Sequence, residues 1–339
     1  MVNDSIIDIK ELGFQWKTNN PFLFCVHHKD AYPKGNGKMG PDASLLAGRK
    51  IGNDFEVKDG WRMYHGQEIP GFPQHPHRGF ETVTVVLEGL ADHADSLGAS
   101  GRYGNGDVQW MTAGEGIQHC EMFPLLNDDR DNPLELFQIW LNLPAKDKFV
   151  EPYYKMLWKE DIPIIQEKDD AGKTTEVKII AGAIGDVKAV APTPDSWAAK
   201  AENDVAIWLI KMEAGAEWNI PPASGDILRS LYFYRGSGIK VAGKEVPSYK
   251  AIDIRPDHKV KLESGNEDSY VLLLQGRPIN EKAVQHGPFV MNSEAEIRQA
   301  FEDYRRTQFG GWPWDDAAVA HDKGMGRFAK YADGKEEIR

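Results

Sequence analysis

The chain has 339 residues, 41% hydrophobic and 27% charged, enough for two domains that each bury a core. A formal net charge of −12 disfavours broad phosphate-backbone binding, which depends on concentrated positive charge, so direct nucleic-acid contact is not expected. No apolar run is long enough to cross a bilayer, and the start MVNDSIIDIK lacks the basic and apolar regions of a secretory signal; a cytoplasmic protein is expected, with a nuclear role open in a eukaryote.

In chain order, Leu12 to Gly60 contains PFLFC and then a Pro-, Gly- and Lys-rich passage, Pro33 to Gly52, that reads as surface loop. GFETVTVV, Gly79 to Val86, has the β-branched content of a strand, and LEG at Leu87 to Gly89 ends it. GRYGNGDVQWM repeats glycine punctuation followed by a short strand, and LELFQIWLNL, Leu134 to Leu143, is a strongly apolar core strand. Val150 to Asp170, richer in charge and proline, serves as the bridge between domains. VKIIAGAI, VAIWLIKM, LYFYRG and SYVLLLQG then continue the β pattern. Near the end SEAEIRQAFEDYRRTQF spaces Ile297, Phe301 and Tyr304 as a helix would, with Ser293 and Glu296 as a capping box and Gly310 as a stop. Cys25 and Cys120 are read as free thiols, because two cysteines in a chain this long make no disulfide framework and no CxxC motif.

The strongest chemical signal is GFPQHPHRGFETVTVVLEG followed by GNGDVQWMTAGEGIQHCEMF. In an extended segment, residues two apart point to one face, so His75 with His77, and His119 with Glu121, can each turn both members inward. Three neutral imidazoles and one carboxylate favour a first-row transition metal over calcium, whose sites use oxygen donors. Glu81 shares the parity of His75 and His77, so bare alternation leaves it as a rival to Glu121. The second half has only His258, His286 and His321 and no HxH pair; its domain is expected to be metal-free, giving one metal per chain.

HPHRGFETVT and DVQWMTAGEGIQHCEM closely resemble the metal-site segments of the pirin family, a branch of the cupins. PFLF near the start, GPFVMNSEAEIRQAFEDY at Gly287 to Tyr304, and GRFAKYADG at Gly326 to Gly334 also look like family segments, so the likeness spans nearly the whole chain. It departs between Phe24 and Pro73, where this chain carries extra loop sequence that bears on substrate and partner specificity. The resemblance implies an all-β protein of two cupin-like antiparallel β-barrels or sandwiches with a short C-terminal helix. Residues 1–150 would form the metal-binding domain and 151–339 the metal-free one with the helical and terminal extension. It implies His75, His77, His119 and Glu121 as metal ligands, with Glu81 in a supporting position. Fe(II) is the expected metal, and Ni, Cu or Mn also suit the donors.

Pirin-like proteins include quercetin 2,3-dioxygenases, so the resemblance implies O2-dependent cleavage of a flavonol or other small aromatic substrate, with Glu121 as the catalytic group that takes the substrate hydroxyl proton. Two other readings stand beside it: a redox-responsive metal protein that binds a protein partner in transcriptional control, and another cupin small-molecule enzyme. Arg78 is read as a structural ion-pair partner; Phe80, Trp110, Met111 and Met122 as core or pocket lining; and Gly114 and Gly116 as the bend leading into His119. His27 and His28 are adjacent and would face opposite sides of a strand, and His65 and His93 carry no repeated ligand pattern.

Overall fold

The computed structural model describes residues 4–339. It is predominantly antiparallel β with one α-helix near the C-terminus, and it divides into two compact units. One comprises the residues up to Cys25 together with Glu160–Asn280, and the other Val26–Lys159 with Glu281–Arg339. Among the described residues no helix is long and apolar enough to cross a membrane. Both cysteines are buried free thiols.

The first unit has a seven-stranded sheet in the order Ile6–Glu11, Lys250–Ile254, Leu228–Arg235, Ser269–Gly276, Ala206–Met212, Thr174–Ala181, Ile164–Lys168. A four-stranded sheet accompanies it, and the core between them includes Trp208, Ile210, Trp218, Phe233, Leu262 and Leu273. The strand Ala206–Met212 alternates buried and open positions at its end, Leu209 and Lys211 outward and Ile210 and Met212 inward, as a one-sided sheet requires.

The second unit holds the candidate site. One sheet runs Tyr153–Leu157, Val108–Thr112, Phe80–Glu88, Asn132–Asn142 and then Phe22–Tyr32, the strand in which the boundary between units falls. The other runs Glu336–Ile338, Phe328–Lys330, Ser100–Gly104, Leu90–Asp95, Ile117–Met122, Gly71–His77. The sheets are open, not closed into barrels, and side chains from both meet between them.

The helix Glu294–Thr307 starts where the sequence places it: Ser293 is the N-cap and its hydroxyl accepts from the Glu296 amide. Glu296 returns to the Asn292 amide at 2.9 Å, one residue earlier than a capping box requires. The helix ends at Gln308, left-handed at φ 50°, ahead of Gly310. Ile297, Ala300, Phe301 and Tyr304 pack on Phe289 and Met291.

Two sequence expectations change here. The division at 150/151 is displaced, because Tyr153–Leu157 pairs with Val108–Thr112 and the chain changes unit only after Lys159. The terminal segments also exchange: Ile6–Glu11 pairs with Lys250–Ile254, and Phe328–Lys330 pairs with Ser100–Gly104. Such pairings join residues more than two hundred positions apart, so a division read along the chain cannot contain them. The Pro33–Gly52 passage has no strand, as expected, but it is anchored: Arg49 is buried, 3.0 Å from Asp54 and 3.4 Å above the Trp61 ring.

Candidate metal centre

Three of the expected ligands converge. His75 and His77 come from the strand Gly71–His77 and His119 from its antiparallel neighbour Ile117–Met122, with His75 directly opposite His119. One nitrogen of each lies within 4.8 Å of the others, the only such group of metal-binding side chains among the described residues. Ring centroids are 4.7 Å apart for His75 and His77, 4.4 Å for His75 and His119, and 4.9 Å for His77 and His119. The strand pairing shifts register between Phe72 and His75, a bulge that re-aims the side chains beyond it.

Local turns set up this approach. Gly114 (φ 48°) and Gly116 (φ 140°) carry the chain into Ile117–Met122, and a Cβ on Gly116 would stand 2.6 Å from the Phe309 ring. Arg78, just past His77, donates to the Glu115 carbonyl at 2.5 Å and to Asp303 at 2.8 Å, so it ties this turn to the helix. That is the ion-pair role expected of it.

The imidazoles suit metal binding by their hydrogen bonds as well as their positions. His75 Nδ1 is 2.8 Å from the Pro73 carbonyl and therefore carries a proton, which leaves Nε2 as the lone-pair donor. His77 Nδ1 has a longer contact of 3.4 Å to the Pro288 carbonyl. His119 is fully buried and neither of its ring nitrogens has a hydrogen-bond partner. Leaving a buried polar side chain unmade costs roughly 1–3 kcal/mol, and coordination removes that cost. Burial pushes His75 down to about 4 and holds His77 and His119 well below the ordinary imidazole range, so all three are neutral at pH 7.

Glu121 lies on the same strand two residues from His119, but its carboxylate is not part of the group of three. It sits between the sheets, where Gln138 Nε2 donates to Oε2 at 2.7 Å, Thr84 Oγ1 is 3.0 Å from Oε1, and the Tyr103 hydroxyl is 3.5 Å away. Thr84 Oγ1 is also 2.6 Å from Gln138 Oε1. One hydroxyl proton cannot serve both oxygens. If Oε1 is protonated, Glu121 donates to Thr84, Thr84 to Gln138 and Gln138 back to Glu121, so every contact becomes a hydrogen bond. Burial acts in the same direction and raises the Glu121 pKa, opposed by His93 and by the bonds from Thr84, Gln138 and Tyr103.

Glu81 is elsewhere: fully buried, it accepts from Trp110 Nε1 at 3.0 Å and Thr112 Oγ1 at 2.9 Å. His27 and His28 are buried and hydrogen-bonded to Glu135 and Tyr64. Phe80 packs edge-on to His77 at 5.0 Å and stacks on Trp140 at 3.9 Å, forming an aromatic wall. Met122 belongs instead to a cluster with Cys120, Trp312 and Trp314, and Met111 to one with Ala113 and Ile117.

Sequence reasoning passed over two neighbours of the centre. Trp140, half-buried, is 5.2 Å from His77. His93 is fully buried, 5.6 Å from His119, stacked on Tyr154, with Nε2 3.1 Å from Asp95 and Nδ1 3.2 Å from the Gln109 amide nitrogen. The amide donates to Nδ1, so Nε2 carries the proton and donates to Asp95. The alternation of His93 with Asp95 was the available signal.

Open sandwiches of this kind with a convergent histidine triad on one antiparallel strand pair define a two-unit cupin-type protein. Residues 15–141 match the Pirin family and residues 207–310 match the Pirin C-terminal cupin domain. The chain is 38% identical over 245 residues to a Pseudomonas aeruginosa protein whose name carries a provisional quercetin 2,3-dioxygenase assignment, covering 72% of this chain and 80% of that one. A pirin-like protein of Caulobacter vibrioides is 39% identical over 241 residues, covering 71% and 81%. The crystal structure of a quercetin 2,3-dioxygenase from Acinetobacter baumannii superposes with a TM-score of 0.70 at 25% identity, covering 91% of this chain and 98% of that chain. The chain belongs to the pirin family.

Proposed function

We propose that this protein is an iron-dependent dioxygenase that cleaves flavonols in the manner of quercetin 2,3-dioxygenase. The observation that carries the reading is His119, an imidazole with two partnerless buried nitrogens beside two others that present free lone pairs. His75, His77 and His119 would hold the metal and Glu121 would be the fourth donor. Three imidazoles with one carboxylate suit Fe(II), and Ni, Cu or Mn would also be accepted. When bound, the metal supplies Lewis acidity toward a substrate hydroxyl and a redox partner for O2.

The remaining work falls to the chain. Glu121, when deprotonated, would be the base that takes the proton of the flavonol hydroxyl, and its contacts with Thr84 and Gln138 support that role by completing the hydrogen bonds of the acid so formed. Half-buried Trp140, 5.2 Å from His77 and backed by the fully buried Phe80, would offer the aromatic surface for a planar ring. The buried surroundings of His77, His119 and Glu121 limit water at the reacting centre.

The test is oxygen-dependent turnover by the iron-reconstituted protein, following the ring-cleavage product and carbon monoxide together, with free iron and His119→Ala as controls. Product and carbon monoxide from the wild type alone are expected. Absence of both from a fully metallated, folded protein across a varied flavonol panel would reject the reading.

A further inference from the structure

On the outward side of the strand that carries His119, a single amide ties the neighbours of two candidate ligands together. Gln118 is fully buried, and its Oε1 accepts from Gln74 Nε2 at 2.8 Å and from the Tyr304 hydroxyl at 2.9 Å. Its Nε2 donates to the carbonyls of Gln308 at 2.6 Å and Gly311 at 3.1 Å. Two donors and two acceptors exhaust the capacity of a primary amide, so its orientation is determined: turned over, it would point oxygen at two carbonyls.

Gln74 precedes His75 and Gln118 precedes His119. Gln74 lies in the register shift between Phe72 and His75, where the ladder itself does not set the position of the chain. The Gln74 backbone amide is held from outside by the Ala317 carbonyl at 2.7 Å. His119 has no side-chain tether, so its ring is placed by its backbone and its packing alone. The same C-terminal segment continues along this face: Trp314 Nε1 donates to the Asp95 carbonyl at 2.8 Å, and Trp312, Trp314 and Val319 cover Cys120 and Met122.

We propose that Gln118 is a positioning residue for the metal centre, clamping Gln74 and the segment from Tyr304 to Ala317 so that His75 stays opposite His119. The proposal rests on the metal-centre reading above. It assigns the C-terminal segment a part in coordination geometry although it contributes none of the proposed ligands. Groups bonded directly to a metal ligand typically weaken binding by about 10–100-fold when lost, and Gln118, which touches no ligand ring and acts through the chain positions of His75 and His119, is expected at the lower end of that range.

The experiment uses the full chain and cobalt(II), whose visible absorption reports coordination geometry. Affinity is read by competition with a chromophoric chelator, and the melting temperature of the metal-free protein is measured alongside. Gln118→Leu is expected to bind about tenfold more weakly with an altered spectrum. Tyr304→Phe and Gln74→Leu, which each remove one bond to the amide, are expected to shift both readouts in the same direction by less, and they carry the test if Gln118→Leu does not fold. A melting temperature that falls while affinity and spectrum stay at wild-type values in all folded variants would make Gln118 merely structural and overturn the proposal. Failure of the wild type to bind cobalt, or full binding by His119→Ala, would instead overturn the metal-centre reading on which it rests.

Discussion

Gln138 and Glu121 are joined by a 2.7 Å hydrogen bond from amide nitrogen to carboxyl oxygen across the two facing sheets, and Thr84 closes the other side of the triangle. Burial favours the acid form of Glu121 against these bonds, so coordination by Glu121, as proposed, would displace the proton that the acid carries. Calorimetry of nickel(II) binding in buffers of differing ionisation enthalpy is expected to show greater proton release from the wild type than from Glu121→Gln, with the difference growing as pH is lowered. Equal release by both would remove Glu121 as the proton source. Affinity should also weaken as pH falls, because protons compete for the same oxygen.

Asp303 is drawn down to about 2, chiefly by the hydrogen bond from Arg78, with Gln299 and Arg306 adding to it. A depressed folded pKa means that the stabilisation is complete above the ordinary carboxylate range, near 3.8, and is lost as pH falls toward about 2. Asp303→Asn should cost about 1 kcal/mol at neutral pH after allowance for solvent screening, and the difference from wild type should close in that acid window. Urea unfolding at several pH values measures it; a pH-independent difference would point to packing instead.

Lys148 is 1% exposed, and its ammonium donates to Gly79 O at 2.7 Å, Asn142 Oδ1 at 2.9 Å and Val290 O at 3.0 Å. Burial lowers it to about 8. Above that value the folded protein has released a proton that the unfolded chain still binds, so this residue makes stability rise with pH, by about 1 kcal/mol over the first pH unit. Lys148→Met should abolish that rise and cost about 2 kcal/mol at pH 7, because three acceptors lose their donor. Parallel pH profiles for the two proteins would contradict the assignment.

Gly116→Ala places a methyl against Phe309 at a φ of 140°. A cost of about 2 kcal/mol is expected, read as a lower melting temperature. Phe309→Ala in the same chain should recover little, because the backbone strain remains. Full recovery would show that the ring clash alone was responsible.

Much of the site is local in origin and therefore legible in the residues. His75 with His77 share a face because strand side chains alternate, and the helix starts at Ser293 because a hydroxyl there satisfies an amide that has no partner within the helix. The β content follows from apolar and β-branched runs broken by glycine. These are short-range properties that survive in almost any context.

Alternation failed at Glu81, and the reason is a turn: Gly79, at φ 84°, separates strands that belong to different sheets, so parity counted from His77 does not carry across it. Only the tertiary structure decided that Glu81 faces Trp110 and Thr112, that Glu121 meets Thr84 and Gln138, and that His93 stands behind His119. It also decided that Gln118 gathers Gln74, Tyr304 and the Gln308 and Gly311 carbonyls. Each of these contacts joins residues far apart in the chain through sheet pairing or sheet packing, and their partners are selected by the folded arrangement as a whole, not by any local pattern.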